Sequence, residues 1–267
     1  MVTIGSTTTS ATRTGYVDVA GLQIYFAVYG QGTPLVLVHG WGADADTNWR
    51  QTGWLDVLSP HRQIITIDVR GHGRSDKPHK PEFYSYAAMS KDVLAVMDAL
   101  EISTADYIGY SMGAFMGAYL LGHHCERFNT MVLGGIGDET RESAAQGAVI
   151  AQALWAVDPA TIDNPYARAV RDFVGANPTN DLRALGFAAQ QMWPEGFPIE
   201  LAGSGLKRAN LPLLIVNGAD DYPYVNSADL FAAAAPNGQH LRIPDTDHLS
   251  VVPDPRFHAA VLEFLDS

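Results

Sequence analysis

Short apolar or β-branched runs alternate with helical patterns along this chain, and they constrain its fold more than any other feature. The runs cover residues 34–38, 63–69, 105–108, 130–133 and 211–217. Strands that are buried on both faces of a parallel sheet have this continuous apolar character. Because strands alternating with helices form right-handed βαβ units, the sequence predicts an α/β fold: a mostly parallel, twisted sheet with helices on both faces.

Further segments complete a sheet of about eight strands. Apolar residues alternate over 22–28, and together with 16–20 they predict an antiparallel hairpin at one edge. Residues 239–243 are predicted as the last strand, and Pro255–Leu265 as a closing helix. The clearest helix between strands is predicted over residues 87–100, where apolar residues recur at intervals of three and four.

The alternation stops between residues 139 and 206, where the chain is rich in Ala and Gln. We expect a core formed by residues 1–138 and 207–267, and a helical cap formed by residues 139–206. The cap would cover the carboxyl edge of the sheet, where ligands bind in open α/β folds. Most aromatic side chains of the cap are expected to pack it onto the core. Trp155 and Trp193, with Tyr110 of the core, are candidates for the lining of a substrate pocket.

Composition and charge argue against several classes of partner. A net charge of −12 and a pI near 5.0 oppose binding to nucleic acid or anionic lipid. The sequence has no apolar run near the roughly 20 residues of a membrane span. Cys125 is the only cysteine, which fits a reducing compartment, and residues 1–14 lack the features of a secretory signal. We expect a cytoplasmic protein of undetermined oligomeric state.

The segment Gly109-Tyr110-Ser111-Met112-Gly113 lies between a predicted strand and a predicted helix. A serine hydroxyl attacks well only when a base takes its proton, so the side chain must stand clear of the sheet. A sharp strand-to-helix turn achieves this, and the two glycines leave room where strand and helix pass closely. Ser111 is therefore the candidate nucleophile.

A base and an acid are needed to activate that hydroxyl. His248 is favoured among the nine histidines, because it lies in the loop between the last strand and the last helix. A carboxylate orients such a base, and Asp221 is preferred because it follows the turn after a buried strand. Asp138, after the preceding strand, and Asp220 remain alternatives.

Two backbone N–H groups are predicted to stabilise the oxyanion of an attacked ester. The Met112 N–H lies at a helix start, where it has no intrahelical acceptor. The Trp41 N–H lies in the turn His39-Gly40-Trp41-Gly42, which follows a strand. Such donors lower the barrier by roughly 3 kcal/mol each. The segment His123-His124-Cys125 lacks metal-ligand spacing, so neither a metal nor a cofactor is expected.

These motifs, in this order, resemble the α/β-hydrolase fold superfamily. The turn at residues 39–42 looks like its oxyanion turn, residues 68–75 like its D-x-R-G-x-G-x-S loop, residues 109–113 like its nucleophile elbow, and His248 like its terminal histidine. In this family the acid commonly follows a G-x-x-D pattern, which points to Asp221. In many haloalkane dehalogenases it follows the earlier strand, which points to Asp138.

The resemblance also implies a reaction class. Ser111 argues against the dehalogenases and epoxide hydrolases, because they use an Asp nucleophile. The elbow and the short cap look similar to small bacterial serine esterases and to the cofactor-free haloperoxidases, or perhydrolases. We therefore expect a serine hydrolase that acts on neutral carboxylic esters. Lactonases, perhydrolases and C–C bond hydrolases use the same residues, and a ligand receptor on this fold is the non-enzymatic alternative.

Overall fold

The computed structural model describes residues 9–138, 142–192 and 197–267. Eight strands are present in these ranges: β1 (Arg13–Val19), β2 (Leu22–Tyr29), β3 (Thr33–Val38), β4 (Arg62–Ile67), β5 (Ala105–Tyr110), β6 (Phe128–Gly134), β7 (Leu213–Gly218) and β8 (Gly238–Ile243). They form one sheet in the order β1-β2-β4-β3-β5-β6-β7-β8. The β1–β2 and β2–β4 pairs are antiparallel and all later pairs are parallel. The predicted fold class is therefore confirmed.

The α-helices of the described ranges connect and cover these strands. They are α1 (Trp54–Leu58), α2 (Tyr86–Ala99), α3 (Met112–His123), α4 (Glu142–Trp155), α5 (Pro165–Gly175), α6 (Leu182–Met192), α7 (Pro198–Ala202), α8 (Ala228–Ala234) and α9 (Pro255–Leu265). None of the helices in these ranges combines the length and the apolarity that crossing a membrane requires.

Strand β3 shows why the sheet has a core on each face. Leu35, Val36, Leu37 and Val38 are all fully buried, and successive side chains of a strand point to opposite faces. Leu35 and Leu37 pack in a cluster with residues of α1 and α9. Val36 and Val38 pack in a second cluster with residues of α2, α3 and α8. A continuous apolar run is thus what a strand between two helical layers requires.

Helices α4, α5 and α6 pack around a small core of their own. No strand occurs in the described part of residues 139–206. The buried residues of this core are Ile150, Leu154, Val174, Leu185 and Ala189. Helix α7, near the end of this segment, instead packs against α3 of the main core.

A buried ion pair ties the loop after β4 to helix α2. The Arg70 Nε–H donates to Asp92 Oδ2 at 2.9 Å, and an Nη2–H donates to the other carboxylate oxygen. Both side chains are almost completely buried. The neighbouring Asp68 accepts bonds from the backbone N–H groups of Ala45 and Arg74. Two buried carboxylates therefore hold the loop in place.

Replacing Asp92 with Ala should lower the free energy of unfolding by about 3 to 5 kcal/mol, because the Arg70 charge would stay buried without its partner. Asp98, on the same helix, pairs with Arg127 but is exposed. Asp98→Ala should therefore cost less than about 1 kcal/mol. Urea unfolding of both variants measures the difference, and equal losses would contradict the importance of the buried pair.

Candidate active site

The chain turns sharply at Ser111, between the end of β5 and the start of α3. Its φ of 50° and ψ of −115° lie outside the regions that L-residues usually adopt. A Cβ on Gly109 would lie 2.3 Å from the carbonyl oxygen of Gly113, and one on Gly113 would lie 2.1 Å from that of Val38. The turn therefore needs glycine at both positions, and it places Ser111 at the carboxyl edge of the sheet.

His248 lies at the same edge, in the loop that follows β8. Its Nδ1 lies 2.9 Å from Oδ1 of Asp221, whose side chain is fully buried. The ring of Tyr224 stacks on the imidazole with centroids 5.1 Å apart, and the Tyr110 hydroxyl donates to the His248 carbonyl oxygen. Because Asp221 occupies Nδ1, Nε2 is the nitrogen that can accept a proton.

Asp247 shapes the loop that carries His248. Its Oδ1 accepts the backbone N–H groups of Ser250 at 2.8 Å and of Leu249 at 3.0 Å. The bonds from Ser250 are the main reason that the pKa of Asp247 lies below its usual value. This carboxylate stands where the resembled family usually has glycine, and it holds the loop by accepting backbone hydrogen bonds.

The structure places the three candidate acids in different surroundings. Asp221 is the one that is hydrogen-bonded to His248. Asp138 is half-buried, accepts the Ile199 N–H at 3.2 Å, and has a pKa raised mainly by burial. Asp220 is exposed, and its backbone N–H donates to the Thr246 carbonyl oxygen. The geometry therefore favours Asp221 as the partner of the imidazole.

His39 and Asn48 hold the turn after β3. The His39 Nδ1–H donates to the Gly40 carbonyl oxygen at 2.8 Å, and its Nε2 accepts the Val69 N–H at 3.0 Å. Complete burial lowers the pKa of His39, so the ring stays neutral and keeps this tautomer. The Gly40 N–H donates to Asn48 Oδ1 at 2.9 Å. His39 is therefore occupied in the turn and is not available as a second base.

The predicted oxyanion donors belong to the turn after β3 and to the start of α3. A Cβ on Gly40 would lie 3.4 Å from the Ser111 Cβ, so the turn that carries Trp41 touches the nucleophile elbow. Met112 is the first residue of α3, where an N–H has no intrahelical acceptor. Its side chain is buried in the core.

Residues of the cap also hold the turn after β3. The Trp41 indole N–H donates to the Leu185 carbonyl oxygen at 3.2 Å. The Asn180 side-chain amide donates to the Gly42 carbonyl oxygen at 2.7 Å. Both hydrogen bonds join the turn to α6 or to the loop before it. The position of Trp41 therefore depends on the position of α6.

Ser111 and His248 line one cavity of about 1100 Å³ between the sheet edge and the cap. This volume is slightly above the range of about 300 to 1,000 Å³ that is typical of small-molecule sites. Trp41 and Tyr110 also line it. The cavity therefore brings together four of the residues that the sequence singles out.

Trp155 and Trp193 are the two cap tryptophans that the sequence predicts in the pocket lining, and the structure describes the first of them. The Trp155 indole N–H donates to the Arg183 carbonyl oxygen at 3.1 Å, and its ring lies 4.9 Å from that of Phe187. Trp155 does not line the cavity. Trp193 lies outside the described residues. The pocket faces of the cap come instead from α4 and α5 and the loop that follows α5.

The metal-ligating residue types are dispersed. Within residues 9–138, 142–192 and 197–267, no group of three or more His, Cys, Asp or Glu side chains could hold a metal ion. His123 is bound to the Leu201 carbonyl oxygen at 3.0 Å and stacks on Tyr119. These contacts give it a structural task where α3 meets the segment around α7.

Two polar residues near the site were not identified from the sequence. Asn217, at the end of β7, donates its side-chain amide to Asp221 Oδ2 at 3.2 Å. His240, in β8, contacts Asn217 Oδ1 through Nε2 at 3.1 Å. A signal for Asn217 exists in the sequence, because it follows a continuous apolar run and a buried polar side chain needs a partner.

Comparison with known families gives one clear match. A family model described as alpha/beta hydrolase fold matches residues 33–190, which is more than half of the chain. The match begins at β3 and includes the turn that follows it, the elbow at Ser111 and the described cap helices α4 and α5.

Several curated proteins and solved structures are similar to this chain. It is 29% identical to a candidate non-heme bromoperoxidase, BpoC, from Mycobacterium tuberculosis, over 89% of this chain and 95% of that protein. It is 25% identical to the 2-hydroxy-6-oxo-6-(2'-aminophenyl)hexa-2,4-dienoic acid hydrolase of Metapseudomonas resinovorans, over 94% and 90%. A hydrolase structure from Pseudomonas aeruginosa PA01 superposes with a TM-score of 0.79 at 25% identity, covering 97% of this chain and 100% of that one.

One further relative is considerably longer. The chain is 28% identical to the dihydrolipoyllysine-residue acetyltransferase component of an acetoin cleaving system from Cupriavidus necator, over 88% of its residues. It spans 64% of the length of that protein. The similarity therefore concerns only part of that relative.

Asp221→Asn should reduce turnover of a p-nitrophenyl ester by about 10⁴, the size of the effect at the corresponding position of serine proteases. Asp138→Asn and Asp220→Asn are the matched controls, and each should change turnover less than tenfold because neither contacts His248. Steady-state kinetics of the three variants measures this. A larger loss in Asp138→Asn than in Asp221→Asn would overturn the assignment of the acid.

Proposed function

Because the chain belongs to the α/β-hydrolase fold family, we propose that it is a serine hydrolase that cleaves neutral carboxylic esters through an acyl-enzyme. One observation carries the proposal. Ser111 and His248 line the same cavity, and Asp221 is hydrogen-bonded to the imidazole at Nδ1. A hydroxyl, a base and an orienting acid are what acyl transfer to serine requires.

The first half of the reaction forms the acyl-enzyme. Ser111 Oγ attacks the ester carbonyl carbon while His248 Nε2 takes the hydroxyl proton, and Asp221 stabilises the resulting imidazolium. Negative charge develops on the carbonyl oxygen. The backbone N–H groups of Trp41 and Met112 stabilise it by donating hydrogen bonds to this oxygen. As the C–O bond breaks, the imidazolium gives its proton to the alkoxide, and the alcohol leaves.

The second half repeats these steps with water. His248 takes a proton from a water molecule, whose oxygen attacks the acyl carbon. The bond to Ser111 Oγ then breaks, the serine regains its proton from the imidazolium, and the carboxylic acid is released. Ser111 and His248 regain their starting states, so each cycle consumes one ester and one water and releases one alcohol and one carboxylic acid.

The charged residues of the cavity lining disfavour an anionic substrate. Asp46 pairs with Arg50 at 2.8 Å, and Arg74 lies 3.8 Å from Asp68. Burial acts to raise the pKa of Asp44, but bonds from the Thr47 and Thr179 side chains and from the Thr47 backbone lower it to about 2, so this carboxylate is ionised at neutral pH. An anionic substrate would therefore meet carboxylates and find no unpaired cation among these groups.

The mouth of the cavity has an exposed apolar rim. Tyr166 and Phe173 of α5 are both 60% exposed, and Tyr222 and Leu249, which follow β7 and β8, are 65% and 57% exposed. All four line the cavity. Exposed apolar groups around a pocket are typical of ligand-binding grooves. The rim supports an ester whose acyl chain extends from Ser111 across apolar surface, rather than a small acetyl ester.

Hydrolysis of a carbon–carbon bond is the second candidate. The same nucleophile, base and oxyanion donors would serve it, and the relative from Metapseudomonas resinovorans is named as a hydrolase of a dienoic acid. That acid is anionic, whereas Arg74 of the lining is already paired with Asp68. The absence of an unpaired cation among these lining residues ranks the neutral ester first.

A series of p-nitrophenyl esters from acetate to octanoate tests the proposal. We expect kcat/KM to rise with chain length, because each buried methylene contributes about 0.8 kcal/mol.

Ser111→Ala should lower kcat by about 10⁶, as loss of the nucleophile does in serine proteases. Wild-type activity in Ser111→Ala would refute the nucleophile, and binding of an ester without any turnover would favour a receptor.

Whether the rim binds the acyl chain can be tested with two variants of the cap, one at the rim and one away from it. Phe173→Ser should flatten the dependence of kcat/KM on chain length. Val157 is 99% exposed and does not line the cavity. Val157→Ser removes a similarly exposed apolar side chain, so it should leave the dependence unchanged. If the two variants behave alike, the rim does not bind the acyl chain.

A further inference from the structure

The hydrogen bond to the second carboxylate oxygen of Asp221 determines the orientation of the Asn217 amide. Asp221 Oδ2 lies 3.2 Å from Asn217 Nδ2. An ionised carboxylate only accepts hydrogen bonds, so the amide must present its NH₂ group to it. The Asn217 Oδ1 then points the other way, where it lies 3.1 Å from Nε2 of His240. Asn217 is buried between these two groups.

Both ring nitrogens of His240 face hydrogen-bond acceptors. Nε2 faces the Asn217 amide oxygen, and Nδ1 lies 2.6 Å from Oδ1 of Asp229. The bond from His240 is the main cause of the lowered pKa of Asp229, so this carboxylate is ionised at neutral pH. Because Asn217 presents its amide oxygen to Nε2, the His240 ring binds it through an Nε2–H donor.

This hydrogen-bond chain runs from the protein surface to the candidate base. Asp229 is exposed on α8 and also binds Arg242. His240 is on β8, with a side chain that is only 4% exposed, and Asn217 is on β7. None of Asp229, His240 and Asn217 lines the cavity. Any effect of these residues on the reaction must therefore pass through Asp221.

We propose that His240 is a positioning residue, which fixes the orientation of the Asn217 amide and through it the carboxylate of Asp221. The inference rests on the proposed function for its effect on activity. An amide can turn over and exchange its oxygen for its NH₂ group. The His240 Nε2–H disfavours that turn, because it would face NH₂ instead of oxygen. The turned amide would also place its oxygen against Asp221, and the carboxylate would lose a donor.

The test compares His240→Phe, His240→Gln, Asn217→Leu and the double variant Asn217→Leu/His240→Phe. In each we would measure kcat and KM for p-nitrophenyl butyrate and the rate at which a fluorophosphonate labels Ser111. His124→Phe is the control, because His124 also faces a carboxylate, Glu126, at 3.9 Å but lies at the far end of α3.

His240→Phe should lower kcat and the labelling rate by about tenfold, comparable to the loss of partners that orient metal-bound histidines. KM should stay unchanged, because the residue does not touch the cavity. His240→Gln should retain most of the activity, since its amide can still donate to Asn217. Because His240 acts through Asn217, His240→Phe should have no further effect in the Asn217→Leu background.

Additive losses in the double variant, or an unchanged rate in His240→Phe, would overturn the proposal. A measurement on the wild-type protein covers variants that fail to fold: ¹⁵N NMR should show a proton on His240 Nε2, and an unprotonated Nε2 would also overturn the proposal. If wild-type protein neither hydrolyses esters nor is labelled at Ser111, the proposed function fails instead. The His248 Nδ1–H resonance, which should shift in Asn217→Leu and His240→Phe, then still tests the hydrogen-bond chain.

Discussion

At Ser111 the backbone leaves a central strand and enters a helix within a single residue, with a positive φ. A conformation of this kind costs about 1 to 3 kcal/mol, so the surrounding structure must impose it. Strand β5 does so by pairing with β3 and β6 on its two sides, and the Ser111 N–H is bound to the Gly134 carbonyl oxygen at 2.8 Å. The contacts that hold β5 and α3 together therefore also position the hydroxyl.

The other site residues lie close together because the parallel strands that precede them end at the same edge of the sheet. The turn that carries Trp41 follows β3, Ser111 follows β5, Asp221 follows β7 and His248 follows β8. Residues far apart in the sequence meet there without any long loop. The cap adds a second constraint, because Asn180 and Leu185 bind the turn that Asn48 holds from the core. The proposed oxyanion donor at Trp41 therefore depends on the contacts that α6 and the loop before it make with this turn.

Much of this arrangement could be predicted from local patterns. Apolar runs and helical periodicity identify the strands, and the G-x-x-D spacing ranks Asp221 above Asp138. The chain from Asp221 to His240 could not be predicted, because it depends on how the side chains of β7 and β8 face each other across the sheet. The position of Trp155 depends on the rotation of α4, which periodicity does not determine when both faces carry apolar residues.

The central claim is that Ser111 becomes covalently acylated during turnover. It is tested most directly by acid-quenching the enzyme during hydrolysis of a p-nitrophenyl ester and mapping its peptides by mass spectrometry. The account predicts one added acyl group, on the peptide that contains Ser111, and its absence in Ser111→Ala. An acyl group on a different residue, or full turnover with no acylated peptide at any time, would contradict it.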